Sequence, residues 1–234
     1  MATITISRQY ASGGEEIAAH VAQILGYTIF DKTMMAQVAS DLGLTENEIV
    51  DFRETDQRSL GFLDRLLGRT LTVAEVSTWQ EDLDGVRRPA TTRISDSQAV
   101  AMVRGVVDAA YKRGNVVIVG RGGQAILQGR PGVLHVRIIA PTEHRIQRLM
   151  DRDSLPSTEA QLQIEDYDRA ARDYVRRYYD LDSQDPAHYH LLINTGQLDL
   201  ATAAQVIALA AQQMQPVPQP EYEPPAAMPF FYPI

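Results

Sequence analysis

The segment TITISRQYASGGEEIAAHVAQILGY, Thr3 to Tyr27, constrains the fold more than any other stretch of the chain. Thr3–Ser7 alternates β-branched and small residues, the period-two pattern of a strand. Gly13 and Gly14 then permit a tight turn. Ile17, Ala18, Val21, Ala22, Ile24 and Leu25 follow at helical spacing, and Gly26 is placed to end that helix. A strand that runs through a glycine turn straight into a helix is half of a crossover unit, so it calls for a parallel neighbour strand.

The same order recurs downstream. Tyr27–Phe30 reads as a short second strand, and SDSQAVAMVRGVVDAAYKRG as a helix with Ser95 or Asp96 as its cap and Gly114 as its stop. Asn115–Gly123, NVVIVGRGG, is a continuous apolar run entering a glycine turn, as expected of a strand buried on both faces. Val133–Ala140 is a further strand, followed by the helix PTEHRIQRLMDRD with Pro141 near its first turn. Thr158–Tyr179 reads as a long charged helix, YHLLINT as the last strand and Asp199–Met214 as the last helix. Alternation of this kind predicts an α/β fold, a doubly wound parallel sheet with ligands at the carboxyl ends of its strands. Arg8–Gly14, Asp31, Gly120–Gly123 and Ala140–Thr142 lie at those ends.

One domain is expected over residues 1–214. Within it, residues 32–92 read as a charged helical insertion with turn signals at Gly43, Gly61, Gly68 and Gly85, and residues 152–180 as an arginine-rich region. Residues 215–234 are proline-rich, cannot continue a helix, and read as an extended tail open to a protein partner or to self-association. The chain has 234 residues, 44% of them hydrophobic, which is enough for a full core. A net charge of −8 argues against a nucleic-acid coat, and the absence of cysteine removes thiolate chemistry. With no basic-then-apolar leader and no apolar run of spanning length, the expectation is a soluble cytoplasmic protein without membrane or nucleic-acid partners.

RQYASGGE, Arg8–Glu15, meets the phosphate-loop pattern GxxxxGK[ST] only at Gly13. Gly14 stands in the lysine position and Glu15 in that of the hydroxyl residue. Phosphate loops act mainly through backbone N–H groups at the turn and the helix start, which do not require the lysine. Arg8, at the other end of the loop, is a candidate for the missing charge. Glu15 and Glu16 suit the helix dipole, yet repel a triphosphate unless magnesium intervenes. Arg145, Arg148 and Arg152, and again Arg169, Arg172 and Arg176, recur at helical spacing among acidic residues, for which a solvated face is the default. His188 and His190 sit two apart and could share one side of a strand, but without acidic partners at ligand spacing no protein metal site is assigned.

ITISRQYASGGEEIAAHVAQILGYTIFDK resembles the opening of the cytidylate kinase-like family, a P-loop nucleoside-monophosphate kinase branch lacking the usual lysine. The resemblance resumes at NVVIVGRGGQAIL, VLHVRIIAPTEHRIQRLM and DRAARDYVRRYYDLDSQDPAHYHLLINT, and so covers most of residues 3–213. Ala11 replaces a usual glycine of that branch, and Glu15 a usual arginine. The resemblance implies transfer of a phosphoryl group from magnesium-bound ATP to a nucleoside monophosphate, with CMP or dCMP favoured. It places the ATP phosphates on Ser12, Gly13, Gly14 and Glu15, chiefly through backbone donors, with Arg8 as the candidate replacement for the lysine charge. It places the acceptor on Gly120 and Arg121, with Asp31 at the monophosphate edge and Asp168 near the base. Residues 152–180 become a lid whose Arg169 and Arg172 neutralise the migrating phosphoryl group. The alternative is a catalytically degenerate nucleotide-binding or regulatory protein of the same fold, its tail docking a partner.

Overall fold

The structure is a computed structural model that describes residues 2–30, 74–81, 87–94 and 96–214. Five strands, β1 (Thr3–Arg8), β2 (Thr28–Phe30), β5 (Val116–Val119), β6 (Val133–Ile139) and β7 (Leu191–Asn194), form one sheet in the order β2-β5-β1-β6-β7. Every pairing in it is parallel. The doubly wound α/β expectation holds. β1 is central, so its carboxyl end opens into the middle of the molecule.

Side-chain alternation along β1 divides the interior in two. Ile4 and Ile6 face α1 (Gly14–Leu25) and the last helix, and join Ile17, Val21, Val136, Ile138, Ala204 and Ile207 in the main apolar core. Thr3, Thr5 and Ser7 face the other way, where they meet His135 and Arg137 of β6, all buried. Helix α2 (Asp96–Arg113) and the short α3 (Gly123–Ile126) lie on this second face. A Cβ on Gly123 would come within 3.2 Å of Ile118 and 3.4 Å of Thr5, so α3 rests directly on the sheet.

Two helices packed on each other follow β6: α4 (Thr142–Asp153) and α5 (Ser157–Tyr179). Ala11, Leu149, Ala160 and Ile164 form a small core of their own, with Tyr10, Ile146, Met150 and Leu155 around it. The arginine-rich helices are thereby docked onto the loop that follows β1. A single 3₁₀ turn (Pro186–His188) leads into β7, and α6 (Leu200–Gln213) closes the fold behind Asp199, whose carboxylate accepts from the Thr202 amide.

The helical reading of residues 32–92 fails at its end. β3 (Ala74–Glu81) and β4 (Arg87–Ile94) pair antiparallel, with Ala74 opposite Ile94 and Glu81 opposite Arg87. Val76, Thr78, Thr91 and Thr92 are the β-branched residues that favour this hairpin, and Gly85 lies between its strands. Pro89 within β4 and the adjacent Arg87 and Arg88 hide the period-two signal. The rest of that insertion, the Asp31 assignment and the proline-rich tail lie outside the described residues. Among the described residues no helix is long and apolar enough to cross a membrane.

Candidate active site

The loop Gln9–Gly13 is held from several sides. The Gln9 amide donates to Ile138 O at 3.0 Å and its side-chain oxygen accepts from the Ala140 amide at 3.0 Å, which fastens the loop to the end of β6. Ser12 is fully buried, and its hydroxyl donates to Gln9 O at 2.8 Å. That hydroxyl is therefore spent inside the loop. Thr195 Oγ1 donates to Ser12 O at 2.7 Å, so the turn after β7 braces the loop as well. Gly13 has φ 84 and precedes α1 without any side-chain cap. The first amides of α1 thus keep the free donors of a helix start, the arrangement that binds phosphate in such loops.

Arg8 explains the glycine in the lysine position. A Cβ on Gly14 would lie 2.7 Å from Arg8 Cβ and 2.8 Å from Arg8 Cγ, closer than real carbons approach. The Arg8 stem crosses the bare backbone of residue 14. At its far end, Arg8 Nη1 is 2.5 Å from where a Cβ on Gly120 would be, so the guanidinium also needs a glycine there. Nε donates to Glu15 Oε1 at 2.8 Å. Arg8 therefore spans from the start of α1 to the Gly120–Gly123 turn, and the Glu15 charge, expected to face phosphate alone, is paired with it.

Residues Gly120, Arg121 and Gly122 all have positive φ, at 68°, 56° and 68°. For glycine this is free; for Arg121 it costs about 1 kcal/mol or more. Backbone strain of this kind persists only where the surroundings impose it. Here Gly123 N donates to Gly120 O at 2.9 Å, closing the turn, and Tyr179 packs against Gly122 so tightly that a Cβ would meet it at 2.8 Å. The Arg121 guanidinium lies 6.0 Å from the Phe30 ring centroid, beside the end of β2.

The arginines of α4 and α5 separate into two kinds. Arg145 is buried, with Nη1 2.6 Å from Asp168 Oδ2 and 3.3 Å from Tyr10 O. Arg148 Nη1 donates to Ala11 O at 2.9 Å. The default of a solvated face therefore fails for both residues: they are loop-binding arginines, which helical spacing alone does not distinguish from surface ones. Asp168 Oδ1 also accepts from the Tyr10 amide at 2.8 Å, so one of its oxygens ties the loop to α5 and the other ties α5 to Arg145 of α4. Tyr10 and Tyr167 stack with centroids 4.2 Å apart beside this clamp. Arg169, on the outer side of α5, pairs with Asp166 and is well exposed. Arg172 lies one turn from Asp168 and lines, with Arg8 and Arg137, a small cleft between β1, β6 and α5. In this conformation Arg8, Asp168 and Arg172 come together, and Arg169 stands apart.

Arg137 escaped the sequence reading, because an arginine inside an apolar strand carries no motif. Below it lies a buried histidine. His135 Nδ1 is 2.7 Å from Thr5 Oγ1, and its ring stacks on His190 at 5.3 Å. Burial first, and the neighbouring His190 second, push the His135 pKa down to about 4, against a smaller upward pull from the Leu127 backbone. His190 Nδ1 accepts the His135 amide at 2.9 Å, and His188 lies 3.8 Å from Asp185. The two residues of HYH are thus in different surroundings. Among the described residues no three His, Cys, Asp or Glu side chains converge as a metal cage.

A parallel sheet with a glycine loop at the end of its central strand, opening into an uncapped helix, is the framework of a P-loop kinase-type α/β protein. Residues 3–197 match the family model described as "Cytidylate kinase-like family", and the chain belongs to that family. A solved structure titled as an uncharacterized protein from Eubacterium ventriosum is similar in fold, with TM-score 0.59 and 18% identity over 91% of this chain and 99% of that one. Shikimate kinase from Acinetobacter baumannii is more distantly similar, with TM-score 0.45 and 15% identity over 92% of this chain and 96% of that one. A curated relative, uronate isomerase from Corynebacterium glutamicum, is 28% identical over 141 residues, 60% of this chain. The aligned part makes up only 26% of that relative's length.

Proposed function

We propose that the protein is a kinase-type phosphotransferase that moves the γ-phosphoryl group of ATP to a nucleoside monophosphate, with CMP and dCMP the favoured acceptors. The observation that carries this reading is the placing of Arg8. Its stem lies over Gly14, the lysine position of the pattern, and its guanidinium lies against Gly120. The charge missing from the sequence pattern is supplied from the strand instead of from the helix.

In this reading the amides of Gly14, Glu15 and Glu16 bind ATP phosphates, and Arg121 grips the acceptor phosphate with its planar fork. An oxygen of the acceptor phosphate attacks the γ-phosphorus in line while the bond to the ADP oxygen breaks, ADP leaving with that electron pair. No side-chain nucleophile is needed, because alignment and charge neutralisation supply the rate. Arg8 and Arg172 face the path of the group, and Arg169 reaches it only if α5 shifts. Magnesium, arriving with ATP, would neutralise phosphate charge. The donor set fits an ion that keeps most of its waters, since the exposed carboxylates of Glu15 and Glu16 flank the loop and the described residues form no protein cage.

A coupled assay of ADP release over a panel of nucleoside monophosphates tests the proposal. ADP release that depends on CMP or dCMP is the expected result. ATP binding without turnover on any member of the panel would favour the degenerate, regulatory alternative.

A further inference from the structure

Arg137 is placed where a cation is expensive. It sits opposite Ser7 in the pairing of β6 with β1, next to the centre of the sheet, and is only 8% exposed. Its Nη1 donates to Ser7 Oγ at 2.7 Å, and its guanidinium carbon is 5.8 Å from the centroid of Tyr189. Tyr189 is itself held by its hydroxyl, which donates to Ser183 O at 2.8 Å. Among the described residues no carboxylate lies within ion-pair distance of Arg137, or of Arg172 across the cleft. One neutral hydrogen bond and an aromatic face do not offset the desolvation of a guanidinium.

The surroundings share the same sign. The cleft is lined by Arg8, Arg137, Asp168, Arg172, Ser183 and Gln184. Among the described residues that line it Asp168 is the only acid, and both of its oxygens are already taken by Arg145 and the Tyr10 amide. Arg8 gives one nitrogen to Glu15 and keeps its remaining donors toward Gly120. Three guanidiniums around one cleft, two without a countercharge, make a receptor for a compact anion bearing more than one charge and several acceptor oxygens.

We propose that Arg137, with Arg172, forms a phosphate-binding subsite on the β6 side of the cleft, next to the Arg8 guanidinium that the ATP loop uses, separate from the amides of α1 and occupied by a phosphate monoester group. The subsite rests on the reading that the chain handles phosphate esters, and deepens it by giving the acceptor phosphate a second arginine from β6, across the central strand from Arg121. Arg137 is pinned on a rigid strand, so it orients the anion. Arg172, on α5, closes on it from the lid. Binding of a monoester would then draw α5 toward the sheet.

Calorimetry on the full chain, with inorganic phosphate, CMP and ATP as separate probes, tests this in wild type, Arg137→Met, Arg172→Gln and Arg137→Lys. The expected result is a loss of about tenfold or more in phosphate and CMP affinity for Arg137→Met, a smaller loss for Arg172→Gln, and ATP affinity within about twofold of wild type. Without ligand, Arg137→Met should melt no lower than wild type, since it removes a buried charge that has no partner. A folded Arg137→Met that binds phosphate and CMP like wild type overturns the subsite and leaves the kinase reading standing. If phosphate binding depends on Arg137 but no monophosphate is ever phosphorylated, the subsite stands and the kinase reading falls. Should Arg137→Met fail to fold, the other two variants decide: undiminished phosphate affinity in both Arg172→Gln and Arg137→Lys, which keeps the charge but loses the fork, overturns the proposal.

Discussion

Arg8 Nε donates to Glu15 Oε1 at 2.8 Å, joining the last residue of the central strand to the first turn of α1. Glu15 is 57% exposed and Arg8 29%, so the pair contributes little stability, about 0–1 kcal/mol. Its effect is on position. The carboxylate holds the guanidinium beside the loop in the absence of nucleotide, and an arriving phosphate must compete with it.

Glu15→Gln should accordingly tighten ATP several-fold while leaving the melting temperature nearly unchanged. Titration of ATP into wild type and variant, with and without magnesium, reads this directly. Weaker binding in the variant would mean that Glu15 orients Arg8 productively.

Gly14→Ala adds a Cβ that collides with the Arg8 stem at 2.7 Å. Alanine is the better helix former by about 1 kcal/mol, which offsets part of the crowding and keeps the fold intact. ATP affinity should fall about tenfold as Arg8 is pushed off the loop, with a circular dichroism spectrum like that of wild type. Retained ATP affinity would sink the assignment of Arg8 to the lysine's task.

Arg121→Gly keeps the turn and removes the guanidinium. Relief of the positive φ should offset the entropy lost by a glycine, leaving stability within about 1 kcal/mol of wild type. Monophosphate binding should weaken by roughly 2–3 kcal/mol and ATP binding hardly at all. Equal losses for both nucleotides would show that Arg121 shapes the whole site instead of holding the acceptor.

Asp168→Asn leaves Arg145 buried without its countercharge, and Arg145 Nε already has no partner. Breaking a buried pair from one side costs about 3–5 kcal/mol, reduced here because Asp168 stays partly solvated. A clear drop in denaturation midpoint is expected, together with faster proteolysis at the loop. A variant as stable as wild type would return Asp168 to a role in contacting a base.

His135 makes stability depend on pH in a defined window. Its folded pKa of about 4 is below the ordinary value of 6.5, so between those values the unfolded chain binds the additional proton. The contribution is complete above about pH 6.5 and is lost as pH falls toward 4, with a ceiling of about 3 kcal/mol. Melting temperature followed from pH 7.5 to 4.5 in wild type and His135→Gln checks it; parallel curves would remove His135 as the cause.

Much of this fold is legible in the chain because its signals are local. Strand β1, the turn at Gly13 and helix α1 are each written in consecutive residues, through β-branching, backbone freedom and helical spacing. The turn after β5 announces itself in the same way. The hairpin β3–β4 is not legible because Pro89 interrupts its second strand and Arg87 and Arg88 break the alternation at the start of that strand. Arg137 carries no signal in the sequence, and Arg145 reads as a surface residue, for a different reason. An arginine in a strand or on an amphipathic helix looks alike whether it meets water or the interior, and helical spacing reports the face of a helix but not what packs against it.

The sequence by itself determined a glycine loop leading into a helix at the end of a parallel strand, since those elements follow from residues within one turn of each other. Only the tertiary structure decided which side chain lies over the position of the missing lysine. Arg8 and Gly120 are more than a hundred positions apart, and pairing of β1 with β5 brings their backbones together. The same holds for Asp168 on the Tyr10 amide and for Arg137 beside Ser7. The charge of each residue is fixed locally, but whether it is paired, buried or free depends on distances that exist only once the sheet has formed.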